Sequence, residues 1–261
     1  MYPNFEDPDL ETLRNLMRGL QPSGEPEAVP IQRTRGGIVE SGQCLLVLDA
    51  SFNPMTLAHD RMVLEGSMAC GANEILLMLS RANVDKEVFG TDLGQRLGML
   101  LHYSAFQRAC SIFGCSHARF VDKALALVPH YPTDTRIEFV MGFDTLERLV
   151  DRQYYTDMDS DLDVLFGLAR VLVANRDENG KGAIQARLDT PDLKRYRDRI
   201  DIIEIPKAMG SVSSSQVRSR LAKGLSIKAL VPTSILDSID RIGLYKSLYQ
   251  LNDSDNREEL R

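Results

Sequence analysis

The chain has 261 residues, of which 43% are hydrophobic and 26% are charged, and its formal net charge is −6. This composition is typical of a folded globular protein with a core of ordinary size. The acidic balance argues against a protein that coats nucleic acid, because that function needs a basic face to displace counterions. A few local cations and helix N-termini can still hold a phosphate ligand inside an acidic protein.

The sequence also argues against membrane insertion and secretion. No apolar run approaches the ~20 residues that cross a bilayer, and the acidic segment 1–7 has no apolar signal core. The four cysteines form no CxxC pair and have no metal-like spacing with histidine. Cys44 and Cys70 lie in apolar segments and are interpreted as small core residues. We therefore expect a reducing compartment, the cytoplasm or the nucleus.

The two ends of the chain differ in character from its middle. A helix capped by Asp9 is predicted over residues 9–20, and a linker rich in helix-breaking residues follows at 21–26. The last dozen residues are nearly all polar or charged and are expected to fray. These features divide the chain into an N-terminal arm and linker (1–40), one main domain (41–249) and a polar tail (250–261).

Segments with the apolar spacing of strands and helices alternate through the main domain. Alternating elements of this length indicate an α/β fold with a doubly wound parallel sheet and C-terminal helices. Ligands of such folds bind at the carboxyl ends of the strands, near the point where the strand order reverses. Strands are predicted at 44–48, 74–79, 136–141, 169–174 and 199–205, and helices at about 57–70, at 93–113 and near the C-terminus.

A first candidate site follows the first strand of the main domain. Because a helical pattern begins near Leu57, the preceding residues occupy a strand-to-helix turn, where N–H groups and the helix dipole favour an anion. Thr56 and His59 are three positions apart and share a helix face. A tight turn in which Thr56 only caps the helix explains the pattern equally well. The candidate residues are Ser51, Phe52, Asn53, Thr56 and His59.

A second candidate site lies at the start of a predicted helix near the C-terminus. Ser213 and Gln216 have the spacing of a capping box. Serines at this helix N-terminus offer donors to phosphate oxygens, and Arg218 offers a bidentate cation. A capped amphipathic helix with Arg218 in solvent explains the same residues without a ligand. The candidate residues are Ser213, Ser214, Ser215 and Arg218.

Together the two segments resemble the signatures of the nucleotidylyltransferase superfamily. The first is similar to G-x-F-x-P-x-(H/T)-x-x-H, with Ala50 in place of Gly, and the second is similar to I-S-S-T-x-x-R, with Val212 and Ser215 as replacements. Thr56 makes the first segment most similar to nicotinamide-mononucleotide adenylyltransferases, and residues 221–245 resemble their C-terminus. The resemblance implies a Rossmann-like nucleotidylyltransferase fold.

The resemblance also implies further binding residues in two other loops. Lys86 and Arg96 lie where this family often has basic residues near the substrate phosphates, although an exposed loop lysine is the more common explanation for Lys86. Gly142 and Asp144 resemble the family's G-x-D segment, in which the acidic residue approaches the sugar or base of the nucleotide. Asp144 is equally well interpreted as the N-cap of the next helix.

The implied reaction is the transfer of AMP from ATP, with Mg²⁺, to a phosphorylated small molecule. Nicotinamide mononucleotide is the acceptor that the resemblance favours, and NAD would then be the product. His59, Thr56 and Arg218 would be the catalytic residues, acting by charge neutralisation and positioning. The chain has no tryptophan to stack on a pyridine ring, a role that Tyr154 or Tyr155 can take.

Three alternatives stay open. In the first alternative, the chain is an adenylyltransferase whose acceptor is phosphopantetheine or a nucleotide other than nicotinamide mononucleotide. In the second, the chain uses CTP and is a cytidylyltransferase. As a third alternative, the chain is a nucleotide-binding regulator or slow ATP hydrolase without an acceptor site, which Ala50 and the missing tryptophan favour. In each case the expected partners are small molecules rather than nucleic acid or membrane, and an oligomer is compatible with the sequence.

Overall fold

The computed structural model describes residues 9–82, 91–175 and 180–245. Its strands are β1 (Ala28–Gln32), β2 (Cys44–Asp49), β3 (Glu74–Ser80), β4 (Cys110–Cys115), β5 (Arg136–Gly142), β6 (Ala169–Asn175) and β7 (Ile200–Glu204). They form one seven-stranded sheet in the order β1-β4-β3-β2-β5-β6-β7. Each neighbouring pair is parallel except β1 and β4, which are antiparallel.

The α-helices of the described ranges alternate with these strands or follow them. They are α1 (Leu10–Gly19), α2 (Leu57–Cys70), α3 (Leu93–Ser104), α4 (Phe120–Leu127), α5 (Phe143–Leu149), α6 (Met158–Leu168), α7 (Lys181–Leu188), α8 (Pro191–Lys194), α9 (Lys207–Gly210), α10 (Ser214–Ala222) and α11 (Thr233–Ile242). Short 3-10 helices span Val128–His130, Arg152–Tyr154 and Arg197–Arg199. None of the helices in these ranges has the length and apolar character needed to cross a bilayer.

Both faces of the sheet are buried, as the side chains of β2 show. Leu45 and Val47 belong to one apolar cluster with α4, α6 and α7, whereas Leu46 and Leu48 belong to another with α1, α2, α3, α10 and α11. Because successive side chains of a strand point to opposite faces, these clusters lie on opposite sides of the sheet. The predicted α/β fold with a doubly wound, mostly parallel sheet is therefore confirmed.

The strand order reverses between β2 and β5, which are neighbours at the centre of the sheet. From β2 the chain continues to β3 and β4 on one side, and then to β5, β6 and β7 on the other. The carboxyl ends of the two central strands are Asp49 and Gly142. The loops after these residues border the crevice in which such folds bind ligands. The first sequence motif is one of these two loops.

The predicted helix over residues 93–113 is wrong in its second half. The helix α3 ends at Ser104, and the strand β4 begins at Cys110 after a turn in which Ala109 has a φ of 51°. All residues of β4 are buried, so this strand lacks the alternation of polar and apolar residues that marks a half-buried strand. Its apolar residues therefore extended the helical pattern without a visible break.

The strand β1 was also absent from the predicted elements. It contains Pro30, a residue that is confined to edge strands because it lacks a backbone donor. The strand pairs with β4 alone, at the edge of the sheet. Part of the predicted N-terminal arm therefore contributes to the sheet, and the domain boundaries at residues 40/41 and 249/250 stay predictions.

The helix α1 packs against α3 on one face of the sheet. It begins as predicted after Asp9, whose carboxylate accepts hydrogen bonds from the backbone N–H groups of Glu11 and Thr12. The Arg14 guanidinium donates to the carboxylate of Asp92, the N-cap residue of α3, at 3.0 Å. Gly94 permits the close approach of the two helices, because a Cβ atom there would lie 2.6 Å from the Leu10 carbonyl oxygen.

A buried ion pair fixes the carboxyl end of β2 to α4. The Nζ atom of Lys123 lies 2.6 Å from Oδ2 of Asp49, and the two side chains are only 1% and 6% exposed. The second carboxylate oxygen of Asp49 accepts a hydrogen bond of 2.7 Å from the Ser80 hydroxyl at the end of β3. A buried pair of this kind needs both partners, since the loss of one leaves an uncompensated charge in a medium of low polarity.

We expect Gly94→Ala to lower the free energy of unfolding by about 1–3 kcal/mol, the usual effect of overpacking a close contact. Gly19→Ala on α1 is the matched control, because a Cβ atom there meets nothing within 4 Å. That substitution should be neutral or stabilising by up to about 1 kcal/mol through helix propensity. Urea unfolding of both variants measures the difference, and equal stability would contradict the described packing of α1 on α3.

We expect Lys123→Met to lower the free energy of unfolding at pH 7 by about 3–5 kcal/mol, because Asp49 then stays buried without its cation. The double variant Asp49→Asn/Lys123→Met removes both charges and should regain most of this loss. Urea unfolding of the wild type and both variants measures the effect. A single variant as stable as the wild type would show that Asp49 and Lys123 do not form a buried pair.

Candidate functional site

The first motif forms a compact loop between β2 and α2. The aromatic ring of Phe52 is fully buried, and its backbone has a φ of 44°, in a region that bulky residues rarely adopt. Asn53 is 8% exposed, and the peptide bond between Asn53 and Pro54 is cis. Ala50, which replaces the family glycine, is not among the residues with positive φ in the described ranges. An alanine therefore fits the backbone at that position without strain.

Thr56 and His59 contact each other at the N-terminus of α2. The backbone N–H of Thr56 donates to Nδ1 of His59 at 3.1 Å, and the Thr56 hydroxyl oxygen lies 2.9 Å from the same nitrogen. Because Nδ1 accepts a hydrogen bond, the neutral imidazole carries its proton on Nε2. The His59 ring also packs near the Phe52 ring, with 5.6 Å between the centroids. Thr56 is completely buried, so its position fixes the orientation of His59.

The second motif lies directly on the loop of the first motif. Ser213 is the N-cap of α10, with its hydroxyl oxygen accepting from the N–H of Gln216, as the sequence predicts. The Ser214 hydroxyl donates to the carbonyl of Pro54 at 2.7 Å. Nη1 of Arg218 donates to the carbonyl of Asn53 at 2.6 Å. The two motifs, more than 150 residues apart in sequence, therefore form a single site.

Arg218 also orders the start of its own helix. Its Nη2 atom donates to the Ser215 hydroxyl oxygen at 3.1 Å. The side chain is partly buried, whereas Ser215 is exposed. The guanidinium is thus held between the first-motif loop and the N-terminal turn of α10, where its charge adds to the positive end of the helix dipole.

Arg96 approaches the loop from the side of α3. Its Nη1 donates to the carbonyl of Ser51 at 3.2 Å, and its Nε and Nη2 donate to the carbonyl of Thr91 at 3.1 and 2.9 Å. Burial lowers the pKa of Arg96, and the charge of Arg218 lowers it further, while Tyr245 acts in the opposite direction. The two guanidinium groups therefore lie near each other around the same loop. A contact between Arg96 and a substrate phosphate stays a prediction.

Two residues of this network were not among the predicted site residues. Thr91 and Tyr245 are both buried, and their hydroxyl groups donate to Oδ1 of Asn53 at 3.0 and 2.8 Å. Thr91 directly precedes the N-cap of α3, and Tyr245 belongs to the closing Gly-Leu-Tyr segment of the described chain. The only sequence signal for Tyr245 is the resemblance of that segment to the adenylyltransferase C-terminus.

The remaining predicted residues lie at the neighbouring strand or outside the described ranges. Gly142 ends β5 and is the N-cap of α5, so the alternative that Asp144 caps this helix is wrong. Asp144 is exposed in the first turn of α5, at the carboxyl edge of the sheet. Lys86 lies outside the described residues.

The two tyrosines proposed to replace a tryptophan have different environments. Tyr154 is 50% exposed. Tyr155 packs against the core, donates from its hydroxyl to the carbonyl of Leu149 at 2.6 Å, and has the Arg119 guanidinium 5.9 Å from its ring centroid. Tyr155 therefore has a packing role. Stacking of Tyr154 on an acceptor ring stays a prediction.

The assembled site concentrates groups of the kind that favour an anion. It brings together the N-termini of α2 and α10, the imidazole of His59, the guanidinium groups of Arg96 and Arg218, and several serine and threonine hydroxyls. Helix N-termini and guanidinium groups both favour phosphate. In the described part of the chain, no group of three or more His, Cys, Asp or Glu side chains is arranged to hold a metal ion.

Curated proteins similar in sequence are named nicotinamide mononucleotide and nicotinate-nucleotide adenylyltransferases. One, from Schizosaccharomyces pombe, is provisionally named a nicotinamide mononucleotide adenylyltransferase; it is 29% identical over 229 residues, which are 79% of this chain and 88% of that protein. A probable nicotinate-nucleotide adenylyltransferase of Shewanella woodyi is 24% identical over 77% of this chain and 98% of that protein. No model of a known protein family matches the chain.

Solved structures of one enzyme share the fold. They are two structures of Plasmodium falciparum nicotinic acid mononucleotide adenylyltransferase, one complexed with APC and one with NaAD. Their TM-scores are 0.56 and 0.58 at 18% and 19% identity, and each covers 78% of this chain and 97% of the solved chain. In sequence and in fold the chain is thus similar to nicotinamide- and nicotinate-nucleotide adenylyltransferases, and the resemblance seen in its two motifs is confirmed.

Proposed function

We propose that the chain is an adenylyltransferase that transfers AMP from ATP to nicotinamide mononucleotide and so forms NAD and pyrophosphate. The observation that carries this proposal is the contact between the two motifs. Ser214 and Arg218 hydrogen-bond the carbonyl groups of Pro54 and Asn53, so the two motifs form one site in which their donors would bind a single phosphate chain. The relative named a nicotinamide mononucleotide adenylyltransferase supports this acceptor, and the relative named a nicotinate-nucleotide adenylyltransferase supports adenylyl transfer to a pyridine nucleotide.

The proposed chemistry is an in-line attack of an acceptor phosphate oxygen on the α-phosphorus of ATP. The bond from the attacking oxygen to the α-phosphorus forms, and the bond from the α-phosphorus to the oxygen that bridges the α- and β-phosphates of ATP breaks, so that this oxygen leaves with pyrophosphate. A phosphate nucleophile is already ionised at neutral pH, so the reaction needs no general base. Catalysis then depends on positioning and on neutralising the charge that develops on the phosphates.

Each candidate residue has a distinct part in this proposal. His59 donates a hydrogen bond from Nε2 to the phosphates, and Thr56 sets the orientation of the ring through its contacts with Nδ1. Arg218 and the N-terminal turn of α10 stabilise the departing pyrophosphate. The loop at Ser51–Asn53 and Arg96 border the same phosphates, and Gly142 with Asp144 lie on the side of the sugar and base.

ATP is proposed to enter this site as its magnesium complex. Mg²⁺ commonly binds substrate phosphates together with water and one or two carboxylates. The metal would supply charge neutralisation on the triphosphate, and the residues of the two motifs would position the complex.

The relatives of the chain differ in the acceptor for which they are named. Some relatives are named for nicotinamide mononucleotide and others for nicotinate nucleotide, two acceptors that differ by a carboxamide in place of a carboxylate. A direct assay therefore uses ATP and Mg²⁺ with each acceptor in turn, and measures both the dinucleotide and pyrophosphate. ATP consumption without any dinucleotide would support a hydrolase instead and would contradict the proposed transfer.

We expect His59→Ala to lower turnover by at least ~10²-fold, the lower range for the loss of one electrostatic donor. His130→Ala is the matched control, because His130 contacts the carbonyl of Ala28 on the edge strand β1. That variant should retain the turnover of the wild type. Steady-state formation of the dinucleotide measures both variants, and near-normal turnover by His59→Ala would remove His59 from the proposed mechanism.

A further inference from the structure

A buried hydrogen-bond network connects the C-terminal end of the described chain to the first motif. The Tyr245 hydroxyl donates to Oδ1 of Asn53 at 2.8 Å, and the Thr91 hydroxyl donates to the same oxygen at 3.0 Å. Nε of Arg96 in turn lies 3.3 Å from the Thr91 hydroxyl oxygen. Tyr245 and Asn53 are only 2% and 8% exposed, so bulk water has little access to this acceptor, and the loss of one of its donors is unfavourable.

The position of Asn53 explains why this network matters for the site. Its backbone carbonyl accepts from Arg218 at 2.6 Å, while its side chain accepts from Tyr245 and Thr91. Asn53 thus hydrogen-bonds the second motif through its main chain and the C-terminal segment through its side chain. The preceding residue, Phe52, has a φ of 44°, a conformation that persists only where neighbouring contacts hold it.

Tyr245 is suited to act as a permanent donor in this network. Burial raises its pKa to about 12, an effect that Thr91, Arg96 and Arg218 only partly oppose. The hydroxyl therefore keeps its proton throughout the neutral pH range and can donate to Asn53 at all times. Tyr245 itself has a φ of 61°, a backbone conformation that is unfavourable in free energy for a bulky residue. The turn after α11 adopts it and directs the ring toward the loop.

We propose that Tyr245 is a positioning residue of the nucleotide site, which fixes Asn53 and thereby the first-motif loop between Arg96 and Arg218. This inference rests on the proposed function, in which the first-motif loop is part of the nucleotide-binding site. The C-terminal segment thus contributes to ATP binding and turnover through Asn53, without touching the nucleotide.

The test compares Tyr245→Phe with Tyr131→Phe, two variants that each lose one buried hydroxyl. The Tyr131 hydroxyl donates to Oε1 of Glu74 at 2.9 Å, a residue at the amino end of β3 and therefore remote from the carboxyl edge. The affinity for a non-hydrolysable ATP analogue with Mg²⁺ is measured by titration calorimetry, and kcat and KM are measured with the acceptor. Urea unfolding confirms that both variants are folded.

We expect Tyr245→Phe to weaken binding of the analogue by about fivefold to tenfold, which corresponds to one net hydrogen bond. Turnover should fall while the KM of the acceptor stays unchanged. Tyr131→Phe should bind the analogue with wild-type affinity. Equal affinity in the wild type and Tyr245→Phe would overturn the inference.

A double-variant cycle separates positioning from a general structural effect. In an Asn53→Ala background the accepting oxygen is gone, so adding Tyr245→Phe should change the affinity no further. In an Asn53→Asp background an accepting oxygen is present, so Tyr245→Phe should again weaken binding. Additive effects in the alanine background would show that Tyr245 does not act through Asn53.

The same measurements distinguish the failure of this inference from the failure of the proposed function. A wild-type chain that binds the analogue but forms no dinucleotide would contradict the transfer, while the affinities would still test Tyr245. A wild-type chain that does not bind the analogue would overturn both.

Discussion

The left-handed backbone of Phe52 is the local constraint on which the arrangement of the site depends. A bulky residue in this conformation costs about 1–3 kcal/mol and persists only where its surroundings determine it. Here the carbonyl of Ser51 is bound by Arg96, and the carbonyls of Asn53 and Pro54 are bound by Arg218 and Ser214. The loop carbonyls are therefore engaged by α3 and α10, and the strained turn brings three separate segments of the chain to one place.

This arrangement connects the stability of the fold to its proposed chemistry. A transfer between two phosphates needs few proton transfers and much positioning, so rigid placement of cations and helix N-termini is the main contribution that a protein can make. The buried pair of Asp49 and Lys123 fixes the end of β2, and the loop begins at the next residue. The side chains of α3, α10 and the C-terminal segment then hold the loop from the other sides.

The sequence was sufficient for the fold class, five of the strands and both motifs, because these depend on local patterns. It was not sufficient for β4, a fully buried strand without alternation, or for β1, which Pro30 obscures. Nor could it predict the donors to Asn53: Thr91 and Tyr245 lie 38 and 192 residues away, and only the tertiary fold brings them to the loop. Nor could the sequence predict the ion pair of Lys123, since its partner Asp49 is 74 residues away.

A crystal structure of the chain with a non-hydrolysable ATP analogue and Mg²⁺ would test the central claim that the two motifs form one nucleotide site. The account predicts the triphosphate at the N-termini of α2 and α10, with phosphate oxygens within about 3.2 Å of Nε2 of His59 and of donors in the N-terminal turn of α10. An analogue bound elsewhere on the chain, or absent from this crevice at saturating concentration, would contradict it.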